Sequence, residues 1–186
     1  MIVRLASLFI FITSSFYAYG FFSKTSPVDN LVFLEEVSDL KKDQVDSISQ
    51  SINLQLENLK KLCVAKPQLK TLKQFINELK KLGNYADTTY NQNSFSLNNI
   101  KIKEGKEFVN LGIYLLDLSS ILKYSAFMNY PLLLKSSDLK ETCKNLKNNY
   151  ELSYATHYNL KDNVSVQDSM TFGFKKINDS INCVCK

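Results

Sequence analysis

The sequence predicts a mostly α-helical fold, a single-domain antiparallel helical bundle with a minor antiparallel β component; an all-α fold is the alternative. Three observations predict it. Apolar residues recur at intervals of three and four through much of the chain, which is the helical period. The most apolar segment after the N-terminus, residues 108–122, predicts a central helix around which the others pack. Two shorter stretches alternate apolar and polar residues, which is typical of strands.

The N-terminus has the three parts of a secretory signal peptide. Met1–Arg4 is a short basic start, Leu5–Tyr17 is an apolar run, and Ala18 and Gly20 are small residues at the positions that signal peptidase reads. The serines and the threonine inside the apolar run disfavour an uncleaved anchor. We therefore expect cleavage after Gly20, one domain over residues 21–186, and a secreted or periplasmic protein.

The first half of the domain favours an antiparallel pair of helices, with a kinked continuous helix as the alternative. Ser26–Pro27 is a helix start with a capping hydroxyl and a proline at the first helical position, and Ser38–Asp39 is another cap-like pair. The first amphipathic stripe comprises Val45, Ile48, Ile52, Leu56, Leu59 and Cys63. After a break at Lys66–Pro67, the second stripe comprises Leu69, Leu72, Phe75, Ile76, Leu79 and Leu82, and Gly83–Asn84 predicts its end.

The next segment predicts a loop and then a β-hairpin over residues 94–103. Tyr85–Asn93 is polar, which favours a loop. Apolar residues then alternate on both sides of Asn98–Asn99, and asparagine tolerates the positive φ that two-residue turns require. The predicted cross-strand pairs are Leu97 with Ile100 and Phe95 with Ile102.

The central helix is expected to start near Lys103 and to end before Pro131. Its apolar stripe comprises Phe108, Leu111, Leu115, Leu118 and Leu122. A membrane span is disfavoured, because polar and charged residues interrupt the window and a central charge is costly in lipid. The opposite stripe is polar and aromatic and is expected to face water or a partner. We interpret it as an interaction seam comprising Asn110, Tyr114, Asp117 and Tyr124.

The C-terminal third predicts one further helix and then an ambiguous stretch. Ser137–Asp138 caps a helix whose apolar side comprises Leu139, Cys143, Leu146 and Tyr150. Over residues 151–186, alternation among β-forming residues favours a small antiparallel meander. Helical spacing also fits Val166, Met170, Phe174, Ile177 and Ile181, so helix and strand both stay open for this stretch.

The four cysteines predict two disulfides. Cys63, Cys143, Cys183 and Cys185 all follow the leader, and an even count in an exported chain favours disulfides over a metal site. Cys183 and Cys185 are too close in sequence to bond to each other without strain. Each is therefore expected to bond to Cys63 or Cys143, with the connectivity open.

The sequence predicts no catalytic residue, cofactor site or metal site. His157 is the only histidine, and no serine or aspartate accompanies it in a recognisable arrangement, so we interpret it as an ordinary surface or packing residue. Asp43 with Asp46, and Glu104 with Glu107, form carboxylate pairs near predicted helix starts, where the helix dipole alone favours acids. The phosphate-binding, dinucleotide-binding, zinc-protease and EF-hand motifs do not occur in the sequence. We therefore expect a non-enzymatic protein.

Charge and composition leave two classes of function. Arg4 is the only arginine, so the positive charge of the mature chain rests on lysines, which lack the arginine fork that recognises phosphate and guanine. Nucleic-acid binding is therefore not expected. The first class is an interaction protein that binds another macromolecule, most simply a protein, through a helical or tyrosine-bearing face. The second is a carrier of a small apolar ligand held between helices.

Asn163 and Asn178 begin glycosylation sequons, which matter only in a eukaryotic host.

Overall fold

The fold is built mainly from helices, as the apolar periodicity predicts. The computed structural model describes residues 32–34, 42–64, 66–104, 107–124, 130–161 and 164–186. In chain order its elements are β1 Val32–Leu34, α1 Lys42–Lys61, α2 Leu69–Leu97, β2 Lys101–Glu104, β3 Glu107–Asn110, α3 Leu111–Ser119, a π-helical segment Ser120–Tyr124, α4 Tyr130–Lys135, α5 Leu139–His157, α6 Val166–Ser169 and α7 Phe172–Val184. The mostly-α prediction is confirmed, and the minor β component is an antiparallel sheet.

Helix α1 follows the predicted amphipathic pattern. Its apolar stripe is buried at Val45, Ile48, Ile52, Leu56 and Leu59. Most of the intervening polar positions are exposed or half-buried, as a helix with one buried face requires, and Ser49 is buried beside the stripe. The predicted leader, the predicted helix start at Ser26–Pro27 and the cap-like pair Ser38–Asp39 lie outside the described residues. The helix expected between these two caps is wrong at Val32–Leu34, which form strand β1 and pair with β2.

Helix α2 is longer than the sequence predicts. The expected end at Gly83–Asn84 is wrong, and so is the loop over Tyr85–Asn93, because the helix continues to Leu97 with one irregular residue at Asn93. Gly83 serves a packing role instead: a Cβ atom added there would lie 2.9 Å from the Cβ atom of Leu122. The helix continues because α3 and the π-helical segment pack along it and bury its second half. This tertiary contact outweighs the weak helix preference of glycine and asparagine.

The β-hairpin lies later in the chain than the prediction. Residues 94–97 belong to α2, so the predicted pairing across Asn98–Asn99 is wrong, and these asparagines lead from α2 into β2. The sheet has the order β1–β2–β3 with both pairs antiparallel. In its registers Phe33 lies opposite Ile102, and Ile102 lies opposite Val109. The side chain of Ile102 is fully buried, so one face of the sheet covers the helical core.

The central apolar segment is divided between a strand and two kinds of helix. Phe108 belongs to β3, and α3 begins only at Leu111, where the Asn110 side chain accepts a 3.0 Å hydrogen bond from the Ile113 amide. The expected start near Lys103 is therefore wrong. Pro131 lies in the first turn of α4, where its missing amide is tolerated. Among the described helices, none combines the length and apolarity needed to cross a membrane.

The C-terminal stretch is helical, so the predicted meander is wrong. The cap at Asp138 is confirmed, since its carboxylate accepts a 2.7 Å hydrogen bond from the Glu141 amide. Helix α5 then continues to His157, and α7 buries Phe174, Ile177, Ile181 and Val184 at helical spacing. The Tyr150 hydroxyl donates a 2.7 Å hydrogen bond to the Phe174 carbonyl and ties α5 to α7. Packing of these two helices selects the helical pattern over the strand pattern that the sequence favours.

Two disulfides join the C-terminus to the rest of the bundle, as the cysteine spacing predicts. Cys183 bonds to Cys63 and Cys185 bonds to Cys143, with Cα–Cα distances of 5.4 Å and 5.5 Å. The sequence left the connectivity open, and the structure assigns it. The end of α7 is thereby fixed against both the α1–α2 corner and the first half of α5.

Candidate interaction site

The exposed side of α3 carries large apolar residues. Ile113 and Leu116 are 52% and 42% exposed, and Phe108 in the preceding strand is 54% exposed. Ile113 and Leu116 are neighbours on the helix surface because they are three residues apart. The opposite side of the same helix is fully buried at Leu111, Leu115 and Leu118. We call Ile113 and Leu116 the α3 face.

Asp117 stands at one edge of the α3 face and binds two side chains. Its Oδ1 atom lies 2.8 Å from Nε2 of His157, and its Oδ2 atom accepts a 2.8 Å hydrogen bond from the Tyr158 hydroxyl. The side chains of Asp117 and His157 are 17% and 24% exposed, so the pair is partly open to water. We call Asp117, His157 and Tyr158 the Asp117 cluster.

The end of α5 places both partners of Asp117. His157 is the last residue of that helix and Tyr158 is its C-cap, and Asn159 then adopts a positive φ of 49°, which asparagine tolerates at helix ends. Four residues earlier, the Ser153 hydroxyl donates a 2.6 Å hydrogen bond to the Ile121 carbonyl. His157 thus contacts Asp117, and Ser153 contacts Ile121. Because one number falls as the other rises, α5 runs antiparallel to α3. The cluster therefore holds the end of α5 against the start of the central helix.

Aromatic rings pack against one another within and beside the Asp117 cluster. The Tyr158 ring packs on Tyr154 at a centroid distance of 4.7 Å and meets the His157 ring edge-on at 4.9 Å. Tyr154 and Tyr114 lie 5.5 Å and 5.8 Å from Phe174 of α7. Tilted and edge-on pairs at these distances are favourable contacts. This packing fixes the partly exposed polar atoms on a rigid base.

The other edge of the α3 face is held by an ion pair to α2. Asp87 accepts hydrogen bonds from the Lys123 ammonium and, at 3.2 Å, from the Ser119 hydroxyl. The side chains of Lys123 and Asp87 are 33% and 17% exposed, so this pair is also partly open to water. The exposed apolar side chains of α3 thus lie between two polar ties, one to α2 and one to α5.

The structure places the four residues of the predicted seam in different environments. Asn110 caps α3 and also donates to the Asn98 carbonyl. Tyr114 is only 1% exposed, so the expectation that it faces water or a partner is wrong. Asp117 does lie at the surface edge, whereas the side chain of Tyr124 is outside what the structure describes. The four residues do not form one exposed surface, because the aromatic cluster of α5 and α7 covers Tyr114.

His157 is the functional candidate that sequence reasoning missed. The sequence interpretation as an ordinary surface or packing residue did not include the partner that the structure gives it, a carboxylate 40 residues away. Its pairing requires the antiparallel arrangement of α3 and α5. The available signals were that Asp117 interrupts an apolar run and that His157 is the only histidine and lies in a tyrosine-rich stretch.

A shallow groove lies elsewhere on the molecule, between α4 and α5. Its volume is about 670 Å³. Two leucines and seven polar residues line it: Leu132, Leu133, Lys135, Ser136, Ser137, Asp138, Glu141, Asn145 and Asn149. Polar groups dominate this lining, so the groove does not suit a small apolar ligand.

The Asp117 cluster pairs a carboxylate with an imidazole, which are two members of a nucleophilic triad. Among the described residues, the side chain bonded to His157 is Asp117. All four cysteines are held in disulfides. The described residues also contain no group of three metal-binding side chains.

No protein-family model, curated protein or solved structure matches this chain.

Proposed function

We propose that the chain is an exported, non-enzymatic interaction protein that binds another protein through the α3 face and the Asp117 cluster beside it. The observation that carries the proposal is the pair Ile113 and Leu116, which are about half exposed on a helix whose other side is fully buried. Exposed apolar side chains grouped together and bordered by polar groups are typical of interaction sites.

The border of the α3 face supports the same proposal. Binding sites concentrate their energy in a few central side chains, and partly exposed polar groups surround them. Asp117, His157 and Tyr158 offer a carboxylate, an imidazole and a phenol beside the apolar centre. Because these groups are already held by hydrogen bonds and ring contacts, a partner would meet them in fixed positions. A preformed surface loses less conformational entropy on binding.

Export is proposed from the leader and the disulfides together. The basic start, apolar run and small-residue site of residues 1–20 are those of a secretory signal. Disulfides persist in oxidising compartments such as the periplasm and the extracellular space, and the four cysteines pair completely. The groove between α4 and α5 has a polar lining, so this groove does not favour the carrier hypothesis.

A site-specific photo-crosslinker tests the proposal without a known partner. The residue p-benzoylphenylalanine would replace Ile113 on the α3 face and, as a matched control, Leu54, which is 59% exposed on α1. The exported protein would be irradiated in its native medium. We expect one defined adduct polypeptide, identified by mass spectrometry, from position 113 and none from position 54.

Substitution then tests whether the apolar side chains supply the affinity. The double variant Ile113→Ser with Leu116→Ser should weaken binding to the identified polypeptide by about tenfold or more, since one hot-spot residue contributes more than 1 kcal/mol. The control Leu54→Ser should bind as the unaltered protein does. Equal adducts from both crosslinker positions, or equal affinities of the two variants, would contradict the proposed site.

A further inference from the structure

The net charge of the chain is concentrated around its cysteines. Within four residues of a cysteine there are seven lysines, namely Lys60, Lys61, Lys66, Lys140, Lys144, Lys147 and Lys186. The same windows contain two acids, Glu141 and Asp179. The whole sequence has 23 basic and 18 acidic residues, which leaves 16 of each elsewhere. The formal net charge of +5 therefore belongs entirely to these windows.

The two disulfides bring the windows together at one end of the bundle. They hold the Cα atoms of Cys63 and Cys183 at 5.4 Å and those of Cys143 and Cys185 at 5.5 Å. Helix α7 also packs against both α1 and α5. The α1–α2 corner, the first half of α5 and the end of α7 thus share one end. We call it the disulfide end, and it comprises residues 59–67, 139–147 and 179–186.

The lysines of the disulfide end are available to a partner. Six of them are exposed and Lys147 is half-buried. Within the described part of the chain, none of the seven takes part in an ion pair. On α5 the residues Lys140, Lys144 and Lys147 follow each other at intervals of four and three, so they share one side of the helix. That side is separate from the α3 face.

We infer that the disulfide end binds the surface of a lipid bilayer that contains anionic phospholipids. Clustered lysines are attracted to such a surface within about one Debye length, and the attraction needs no fixed donor geometry. The lysines of the cluster come from the α1–α2 corner, the first half of α5 and the end of α7, which the disulfides hold together. Val64 is exposed between Lys61 and Lys66 and can enter the headgroup region with them. This binding is independent of the protein partner proposed for the α3 face.

Nucleic acid fits the disulfide end less well. Specific contacts to phosphate and guanine favour the planar fork of arginine, and the described residues contain none. Single strands are held by bases stacked on exposed aromatic rings. The windows of the disulfide end contain no phenylalanine, tyrosine or tryptophan. A lipid surface requires only charge and a small apolar contribution.

Vesicle sedimentation measures the proposed binding. The exported, disulfide-bonded protein would be mixed with vesicles of phosphatidylcholine alone and of phosphatidylcholine with about one third phosphatidylglycerol, a fraction chosen to give strong surface charge. We expect sedimentation with the anionic vesicles only, and release as salt rises. The triple variant Lys60→Gln, Lys61→Gln, Lys66→Gln should bind about 100-fold more weakly, since each lysine near the surface contributes about fivefold.

A matched variant separates location from total charge. Lys80, Lys161 and Lys175 are exposed and lie outside the disulfide end, so changing all three to glutamine removes the same charge from elsewhere. This variant should bind anionic vesicles within a few-fold of the unaltered protein. Both variants should melt at nearly the same temperature, because exposed lysines contribute little to stability.

Three results would overturn the inference. The first is equal sedimentation with neutral and anionic vesicles. The second is an equal loss of binding in the two triple variants, which would show that total charge and not the disulfide end is responsible. The third is binding to duplex DNA or to a sulfated polysaccharide at matched salt without binding to vesicles, which would assign the lysines to a different polyanion.

Discussion

Replacing Asp117 by alanine removes the acceptor shared by His157 and Tyr158. Both hydrogen bonds are 2.8 Å long, and both involve a carboxylate that is only 17% exposed. A fully solvated carboxylate, as the sequence predicts for this position, would contribute almost nothing to stability. In the structure the same substitution leaves a ring nitrogen and a phenol without their partner. The variant therefore distinguishes a solvated seam from a cluster that holds α5 against α3.

The expected loss of stability follows from the two bonds and their access to water. A hydrogen bond to a charged group contributes about 1.5–3 kcal/mol when it is well shielded. Here water can reach both donors in the variant, so we expect a total loss of about 1.5–3 kcal/mol for the two bonds together. For a chain of this length that lowers Tm by about 3–12 °C. Leu115→Ala, which empties a fully buried site, should cost about 2–5 kcal/mol.

Urea denaturation of five proteins measures the effect. These are the unaltered protein, Asp117→Ala, Tyr158→Phe, the double variant of these two substitutions, and the control Glu57→Ala, which removes an exposed carboxylate from α1. Tyr158→Phe should lose roughly half of what Asp117→Ala loses, because one of the two bonds remains. Both substitutions remove the bond between Tyr158 and Asp117. The double variant should therefore lose about 1 kcal/mol less than the sum of the two single losses. If Asp117→Ala unfolds within about 0.5 kcal/mol of Glu57→Ala, the cluster contributes nothing and the reasoning is wrong.

Three further perturbations follow from the fold. Cys183→Ser opens a disulfide with a separation of 120 residues and Cys185→Ser one with a separation of 42, so calorimetry should show losses of about 5 and about 4 kcal/mol. Gly83→Ala should destabilise by about 1–3 kcal/mol in urea, since its Cβ atom would press on Leu122; no change would show that α2 can shift. Burial raises the pKa of Tyr130, so the unfolded chain loses this proton first and stability falls as pH rises above about 10. Tyr130→Phe should show a shallower fall between about pH 10 and 11.5.

Helical spacing predicts the buried side of each long helix but not where the helix ends. The stripe from Val45 to Leu59 is buried as the pattern requires. Gly83–Asn84 has the composition of a helix end, yet α2 continues because Leu122 packs directly over Gly83. The alternation in residues 151–174 favours strands locally, and α5 and α7 nevertheless form because each buries apolar residues on the other. The local pattern therefore does not determine the secondary structure where packing on a neighbouring element buries more apolar area.

By itself, the sequence determined the helical class, the buried stripe of α1, the cap at Asp138 and the bonding of both C-terminal cysteines to earlier ones, because each depends on spacing along a few turns or on cysteine geometry. Only the tertiary structure decided which cysteine bonds to which, and that Asp117 meets His157, which is 40 residues away. The tertiary structure also brings the excess lysines together at the disulfide end. These contacts depend on the antiparallel packing of distant helices, and no local period encodes which helices become neighbours.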